Sequence, residues 1–592
     1  MRRIKAMYDI LNKINSPEDV KKLDMKELEA LAGDIREALF NRLTKIGGHC
    51  GPNFGIVEAE IAMHYVFESP VDKFVFDVSH QTYPHKMLTG RKAGYIDDTK
   101  FREDSGYTNP EESKHDLFNV GHTSTSVSLA TGLAKARDLK GEKYNVIALI
   151  GDGSLSGGEA LEGLDVAGSE INSNLIIIVN DNQQSISETH GGIYKNLKEL
   201  RDTDGKSENN LFKAMGLDYV YEKNGNDIAS LIAVFEKVKD IDHPIVVHIN
   251  TLKGKGYELA VKDKEAWHWT VPFDRKTGEK KVESEGETYP AITCEYILAK
   301  AAKDKDFVFI TPNMPMCIGL APADREKLGK KFVDVGIAEE QAVAMASGMA
   351  KGGVKPLVVT NTSFIQRAYD QISHDVCING NHVTILLNCS AFDSLTDVTH
   401  LGIFGLPIFT NIPNLTVLSP TSKKEFIGML DWALDIHDGA SVVLIPGDDV
   451  SDRPAVSGYD GKSEYKIERK GEKVAIIALG DFFGKGESLA DEIEKQLGFK
   501  PTLINPRIAS LTDKNTLDWL KKDHKVVITL EDGILSGGFG EKIASYLGDS
   551  DLKVKNYGLE KKFYDRFNPS ELLKSLGITN EQMLSDIREM LQ

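Results

Sequence analysis

The chain has 592 residues, too many for one hydrophobic core, and predicts three or four domains. Its 41% apolar and 27% charged residues are ordinary for a soluble globular protein, and a net charge of −18 spread along the chain argues against nucleic acid as the main ligand. A phosphorylated ligand stays open, because backbone amides and a metal can hold phosphate on an acidic protein. Cys50, Cys294, Cys317, Cys377 and Cys389 form no close pair, which fits a reducing compartment and not a disulfide framework or zinc site. The first twenty residues lack the apolar stretch of a signal peptide, and no run reaches the length of a membrane span. The expectation is a cytoplasmic enzyme or binding protein.

Short β-branched runs alternate with amphipathic stretches from end to end. Strands are predicted at 144–151, 174–180, 243–250, 355–360, 383–390, 441–447, 473–480 and 525–533. These runs are continuously apolar, which implies strands covered on both faces and hence parallel α/β sheets. Helices are predicted between them, as at 424–436 and 486–497. Two segments poor in apolar residues, 274–290 and 447–473, read as linkers. They divide the chain into α/β domains at 1–285, 286–455 and 456–592, with no short-period repeat.

Two strand ends carry the first chemical signal. Asp152, in a Gly-Asp-Gly, follows the run 144–151, and Asn182, in an Asn-Asp-Asn, follows the run 174–180. Ligands of parallel sheets sit at the carboxyl ends of strands. A carboxylate and an amide oxygen suit magnesium, which keeps few protein ligands and completes its shell with phosphate and water. Gly151, Gly153, Gly157 and Gly158 would let a diphosphate approach the backbone closely. Taken alone, Gly-Asp-Gly is equally well explained as an ordinary turn.

The spacing of about thirty residues between Gly-Asp-Gly and Asn-Asp-Asn resembles the thiamine diphosphate motif. That resemblance makes Asp152, Asn182 and the carbonyl of Gln184 the ligands of Mg2+. Longer segments extend it. "GGHCGPNFGIVEAEIAMHYVF", "FDVSHQTYPHKMLTGR", "NVGHTSTSVSLATGLAKA", "DVGIAEEQAVAMASGMAKGG", "SFIQRAYDQISHDV" and "LEDGILSGGFG" resemble, in order, the 1-deoxy-D-xylulose-5-phosphate synthase family over nearly the whole chain. The resemblance implies three parallel- or mixed-sheet α/β domains: a pyrophosphate-binding domain (1–285), a pyrimidine-binding domain (286–455) and a transketolase-type C-terminal domain (456–592). It implies thiamine diphosphate and Mg2+ as cofactors and, by analogy, a homodimer.

The resemblance also distributes roles. Glu339 would protonate the cofactor's aminopyrimidine ring; read alone, "IAEEQ" is equally an acidic first turn of a helix, with Glu340 the neighbouring candidate. His49 and His80 become pocket residues near the thiazolium and substrate, and His268 matches the same pocket. Gly121, His122 and Thr123 become neighbours of the diphosphate, with Gly151, Gly153, Ser154 and Lys253. Phe364 would pack on the aminopyrimidine, or serve as ordinary core. Arg367 and His400 match the family's catalytic positions.

The chain departs from that pattern at the acceptor end. Cys389 and Gly447 stand where the family has two arginines that hold the acceptor's phosphate, the first also lying near the donor's carboxylate. Asn361 replaces a tyrosine, Thr396 an aspartate with Asp397 one place on, and Asn226 a histidine. The segment between Ser187 and Leu211 is much shorter than the family's loop. The expected activity is a thiamine diphosphate-dependent two-carbon transfer from pyruvate to glyceraldehyde 3-phosphate, or to a different, unphosphorylated aldehyde. Its rivals are ketol transfer from a ketose donor and a non-catalytic homologue, against which the joint presence of Asp152, Asn182 and Glu339 argues. Supply of isoprenoid or thiamine precursors follows only from the synthase activity.

Overall fold

The computed structural model describes residues 8–281, 287–447, 450, 453 and 457–592. The chain divides into two compact units, Met1–Glu283 with Gly336–Ala338, and Ser284–Val335 with Glu339–Gln592.

The first unit is built on a five-stranded sheet of β1 (Lys73–Phe76), β2 (Val146–Gly151), β3 (Leu175–Asp181), β4 (Asp218–Glu222) and β5 (Pro244–Asn250). The strand order is β1-β2-β3-β5-β4 and every pairing is parallel. Side chains alternate between two cores. Ile147, Leu149, Ile176 and Ile178 enter one, while Val146, Ala148, Ile150, Ile177 and Val179 enter the other. That is why the sequence of β2 and β3 is apolar without interruption. Helix α1 (Met25–Ile46) starts at a capping box in which Asp24 accepts from the Glu27 N–H and Glu27 accepts from the Asp24 N–H. Helix α2 (Gly51–Val66) is buried at every position but Tyr65. Helices α3 (Ser126–Lys140) and α4 (Gly158–Glu170) pack against each other.

The second unit holds two sheets. One contains β6 (Phe307–Thr311), β7 (Phe332–Asp334), β8 (Lys355–Asn361), β9 (Thr384–Asn388), β10 (Leu415–Leu418) and β11 (Ala440–Leu444), with α5 (Glu339–Lys351) between β7 and β8. Its order is β10-β11-β9-β8-β6-β7, parallel throughout. The other contains β12 (Lys466–Arg469), β13 (Lys473–Ala478), β14 (Thr502–Asn505), β15 (His524–Ile534) and β16 (Lys553–Leu559), in the order β12-β14-β13-β15-β16. Only β12 is antiparallel to its neighbour, making this sheet mixed. The two sheets share one core, to which Val417 and Val442 contribute from one side and Ala475 and Ile477 from the other.

All eight expected strands form. The others are short or lie at sheet edges, where one flank faces solvent and charge interrupts the apolar run: β4 reads DYVYE, β7 FVD and β12 KIER. The two expected linkers are largely folded. In the first, Arg275 pairs bidentately with Glu37 and lies over the Phe40 ring at 3.8 Å, and Phe273 bridges to Lys280. In the second, Tyr459 packs edge-on against Trp432, Asp460 pairs with Arg507, and β12 adds to the sheet edge. Low apolar content misled here because ion pairs and ring contacts, not an apolar stripe, attach these segments. Residues 282–286 of the first, and 448–449, 451–452 and 454–456 of the second, lie outside the described residues.

One carboxylate connects this fold to the site. Asp77, buried just past β1, accepts from the backbone N–H groups of Ser124 (2.9 Å) and Ser126 (3.0 Å) at the start of α3. Asp77→Ala would strand two buried donors, costing about 2–4 kcal/mol. Amide exchange should accelerate at Ser124 and Ser126 before it does so in β2 and β3; uniform acceleration would contradict this local role.

Candidate active site

In the first unit the candidate residues converge at the carboxyl ends of β2 and β3. These strands are parallel neighbours in register, with Gly151 opposite Asn180, so Asp152 and Asn182 leave the sheet side by side. Gln183 takes a left-handed conformation (φ 63°), which turns the chain sharply between Asn182 and Gln184. Asp152 is 2% exposed and its Oδ2 has no hydrogen-bond partner; neither has Oδ1 of Asn182, itself 8% exposed. Burial first, and the Asp181 carboxylate second, push the Asp152 carboxyl far above the usual range, with Lys253 opposing. Asp181 differs: it takes His248 Nε2 at 2.9 Å and an ion pair with Arg201, and its carboxyl is held below the usual range despite burial.

Two unbonded hard oxygens, buried together, fit a divalent cation that takes few protein ligands. Among the described residues no three His, Cys, Asp or Glu side chains converge as a metal centre. The backbone around the two oxygens is closely built. A Cβ on Gly153 would lie 2.5 Å from Ser185 Oγ, and one on Gly157 would lie 2.2 Å from Ser124 Oγ. Ser124 Oγ donates to the Ser154 carbonyl (2.8 Å), which ties the loop of Gly121, His122 and Thr123 to the turn holding Asp152, Gly153 and Ser154. The side chain of Gln184 folds back onto the Ile186 carbonyl.

A second cluster forms on the same unit. His49 and His268 are joined by a short antiparallel pair, Gly48–His49 with Trp269–Thr270. Ring centroids of His49, His80 and His268 lie 5.1, 5.6 and 5.3 Å apart, so the three expected histidines form one triangle. Burial first, then Lys253 and the other two histidines, hold His268 well below its ordinary value. Lys253 is buried, donates to the Ser185 carbonyl (2.6 Å) and stands 3.1 Å from His268 Nδ1. Burial brings its pKa down to about 7, against the pull of Asp152.

Sequence reasoning missed several residues that hold this arrangement. Asn53, fully buried, donates to the carbonyls of His49 (2.9 Å) and His80 (2.8 Å) and accepts from Tyr83 N–H (2.9 Å). Its position four residues after His49 was the available signal. Lys264 donates to the Asn182 carbonyl (3.1 Å), and Tyr194 to the Gly153 carbonyl (3.2 Å). Tyr194 sits on helix Gly192–Asp202 within the shortened segment, which with Asp152 and Asp181 lines a cavity of about 480 Å³. Asn226 is a structural tie: it donates to Gly55 O and Glu58 and accepts from Leu252 N–H.

The second unit carries the remaining candidates. Glu339 begins α5 and is 3% exposed, whereas Glu340 is partly exposed, which selects between the two. Glu339 Oε2 accepts no hydrogen bond and lies 3.7 Å from Arg367 Nη1. Burial raises its pKa to about 7, although Arg367 opposes the shift. Phe364 and Arg367 share one short turn, and the Phe364 ring meets His400 edge-on at 5.3 Å. Burial lowers His400 to about 4, and Thr399 Oγ1 lies 2.7 Å from its Nδ1.

Three family models match the chain in order along its length. The family model for 1-deoxy-D-xylulose-5-phosphate synthase matches residues 11–208 and 204–251, that for the transketolase pyrimidine binding domain matches 292–450, and that for the transketolase C-terminal domain matches 463–583. Proteins named 1-deoxy-D-xylulose-5-phosphate synthase from Clostridium beijerinckii and Caldanaerobacter subterraneus subsp. tengcongensis are 35% and 36% identical. The alignments cover 97% and 98% of this chain and 98% of each relative. One from Listeria monocytogenes is 36% identical over 99% of this chain and 98% of its own. The chain belongs to the 1-deoxy-D-xylulose-5-phosphate synthase family. A Cβ on Gly447 would stand 3.1 Å from Ser394 Oγ, and Cys389 holds a left-handed turn (φ 55°) at the end of β9.

The raised Glu339 carboxyl gives a pH signature. Its pKa is higher folded (about 7) than unfolded (about 4.5), so the folded state binds the extra proton. The stability this contributes is complete below about pH 4.5 and is lost as pH rises through about 7, a change of about 3 kcal/mol. Glu339→Gln cannot titrate, so thermal scans of the cofactor-free protein should show its melting point rising relative to wild type between pH 5 and 8. A pH-independent difference would contradict the assignment.

Proposed function

We propose that this chain is a thiamine diphosphate- and Mg2+-dependent transferase that decarboxylates pyruvate and joins the remaining two carbons to an unphosphorylated aldehyde. The observation carrying the cofactor half is the pair of buried, unbonded oxygens on Asp152 and Asn182 beside a glycine-lined turn. When bound, thiamine diphosphate supplies the electron sink for carbon–carbon bond cleavage and formation. The chain's own residues do the rest. Asp152, Asn182 and the Gln184 carbonyl would hold the metal, and Gly121, His122, Thr123, Gly153, Ser154 and Lys253 would surround the diphosphate. Glu339 holds a proton on a carboxyl whose pKa lies at the working pH, the condition for moving it in either direction. Phe364 would give the ring system a wall, and His49, His80 and His268 on the first unit and His400 on the second are the imidazoles available to the chemistry. In this reading residues 1–285 bind pyrophosphate, 286–455 bind pyrimidine, 456–592 complete the fold, and the working unit is a cytoplasmic homodimer.

The acceptor half rests on charge. A small chamber of about 20 Å³ in the second unit is lined by Ser390 and Pro446, the neighbours of Cys389 and Gly447, together with Asp481 and Asp532. Among the described residues no lysine or arginine lines it. Burial, then mutual repulsion among carboxylates, pushes the Asp481 and Asp532 carboxyls up, with Lys485, and at Asp481 also Arg453, opposing from outside the lining. Charged or neutral, neither gives a phosphate a positive partner. Each charge-assisted contact to phosphate contributes roughly 1.5–3 kcal/mol, so two absent contacts disfavour a phosphorylated acceptor by about 10²–10⁴-fold.

With pyruvate as donor, kcat/KM for D-glyceraldehyde or glycolaldehyde should exceed that for glyceraldehyde 3-phosphate at least tenfold. A preference for the phosphorylated aldehyde would sink the acceptor assignment. Cys389, where a carboxylate-facing arginine is expected, favours ketol transfer from a ketose as the second reading, and release of carbon dioxide separates the two. Glu339→Ala should lower turnover at least a thousandfold while cofactor binding, followed by intrinsic fluorescence, persists; unchanged turnover would remove Glu339 from the chemistry.

A further inference from the structure

Tyr107 lies outside every role assigned above, yet its ring faces the histidine triangle, 5.8 Å from the His49 centroid at an interplanar angle of 71°. It is partly exposed, on a segment without regular secondary structure between the turns at 101–104 and 110–115. Such a segment would ordinarily move, but this one is fastened on both sides of the tyrosine. Before it, Ser105 N–H donates to Glu112 Oε1 (2.7 Å) and Ser105 Oγ donates to the Tyr107 carbonyl (2.6 Å). After it, Thr108 N–H donates to Ser79 Oγ (2.9 Å) and Thr108 Oγ1 to the Phe118 carbonyl (2.8 Å). Asn109 N–H donates to Asp116 Oδ2 (2.9 Å).

The fastening points are themselves fixed by a buried ionic network. Lys86, fully buried, holds Glu112 at 2.6 Å, and Arg91 holds Asp116 through two bonds of 2.7 and 2.8 Å. His85 Nε2 lies 2.9 Å from Asp116 Oδ1, and His64 extends the chain to His85 Nδ1 at 2.9 Å. Ser79, the other anchor, immediately precedes His80. Breaking any of these buried charged contacts would strand a partner, so the network resists rearrangement. The backbone that carries Tyr107 is therefore fixed, with the ring 5.8 Å from the imidazole expected nearest the reacting atoms.

We propose that Tyr107 is a specificity-determining residue that limits the length of the acceptor aldehyde by closing the space beside His49. This inference rests on the transferase reading above. An aromatic wall on a fixed backbone favours acceptors of two or three carbons over longer unphosphorylated aldoses.

The test compares wild type, Tyr107→Phe, Tyr107→Leu and Tyr107→Ala in full-length protein loaded with thiamine diphosphate and Mg2+. Pyruvate serves as donor, with glycolaldehyde, D-glyceraldehyde, D-erythrose and D-ribose as acceptors. Tyr107→Phe, which keeps the ring, should retain the wild-type length profile. Tyr107→Ala should raise kcat/KM for the four- and five-carbon aldoses relative to glyceraldehyde at least tenfold, with Tyr107→Leu between. The KM for pyruvate and the cofactor affinity should change less than threefold, which a merely structural role would not spare. An unchanged length profile in a cofactor-binding Tyr107→Ala or Tyr107→Leu protein overturns the proposal. If wild type itself consumes no pyruvate with any aldehyde, the transferase reading falls and this inference falls with it.

Discussion

Burying a carboxylate oxygen without a partner is among the more expensive things a fold can do, and the first unit does it at Asp152. A bare carboxylate in a dry site either takes up a proton or recruits a cation. The neighbouring Asp181 shows how the same fold behaves when a carboxylate is meant to be satisfied internally: Arg201 and His248 reach it, and its carboxyl stays ionised. At Asp152 the nearest cation of comparable burial is Lys253, which spends its proton donors on the Ser185 carbonyl and lies against His268. Of these two acids one is saturated and the other is left open near the open Asn182 amide oxygen, a pair of hard donors that suits a divalent cation. The glycine packing, the Ser124–Ser154 tie and the turn at Gln183 all serve to keep that pair of oxygens in place.

Glu339 answers to the same physics from a different starting point. The first turn of a helix favours negative charge by several tenths of a kcal/mol, and Arg367 at 3.7 Å adds to that preference. Burial outweighs both, because the net effect is a carboxyl raised to about 7. The ranking of these effects matters more than their individual sizes. Glu340, the next residue of the same turn, is partly exposed, so the two neighbouring carboxyls lie in different surroundings. Burial of Glu339 thus singles one group out of an acidic dipeptide that is ordinary as sequence.

Much of this was legible beforehand, for identifiable reasons. Continuous apolar runs announce doubly covered strands, so β2, β3, β5, β8, β9, β11, β13 and β15 could be placed; once two parallel neighbours are placed, the residues just past their ends follow. Edge strands such as β4 and β12 carry too much charge for that signal. The segments 274–281 and 457–465 looked like linkers because guanidinium–ring and ion-pair contacts leave no periodic trace. The residues that support the site were hidden for a related reason. Asp77 and Ser124 act through backbone groups distant in sequence, as Asn53 does towards His80, so their residue types say little until the chain is folded.

The candidate residues of the two units differ in how strongly their surroundings constrain them. Around Asp152, a Cβ at Gly153 or Gly157 would clash and the Ser124–Ser154 and Lys253–Ser185 bonds tie the backbone, so few substitutions leave the arrangement standing. Around Gly447 in the second unit the constraint is mostly one of shape, since Gly447 rests on Ser394. Within the first unit, charge and shape divide the work. The buried pairs of Lys86 with Glu112 and of Arg91 with Asp116 hold the backbone on both sides of Tyr107, and the ring that this backbone carries stands against His49. Removing one of those charges would strand its buried partner, so the framework is costlier to alter than the ring it presents.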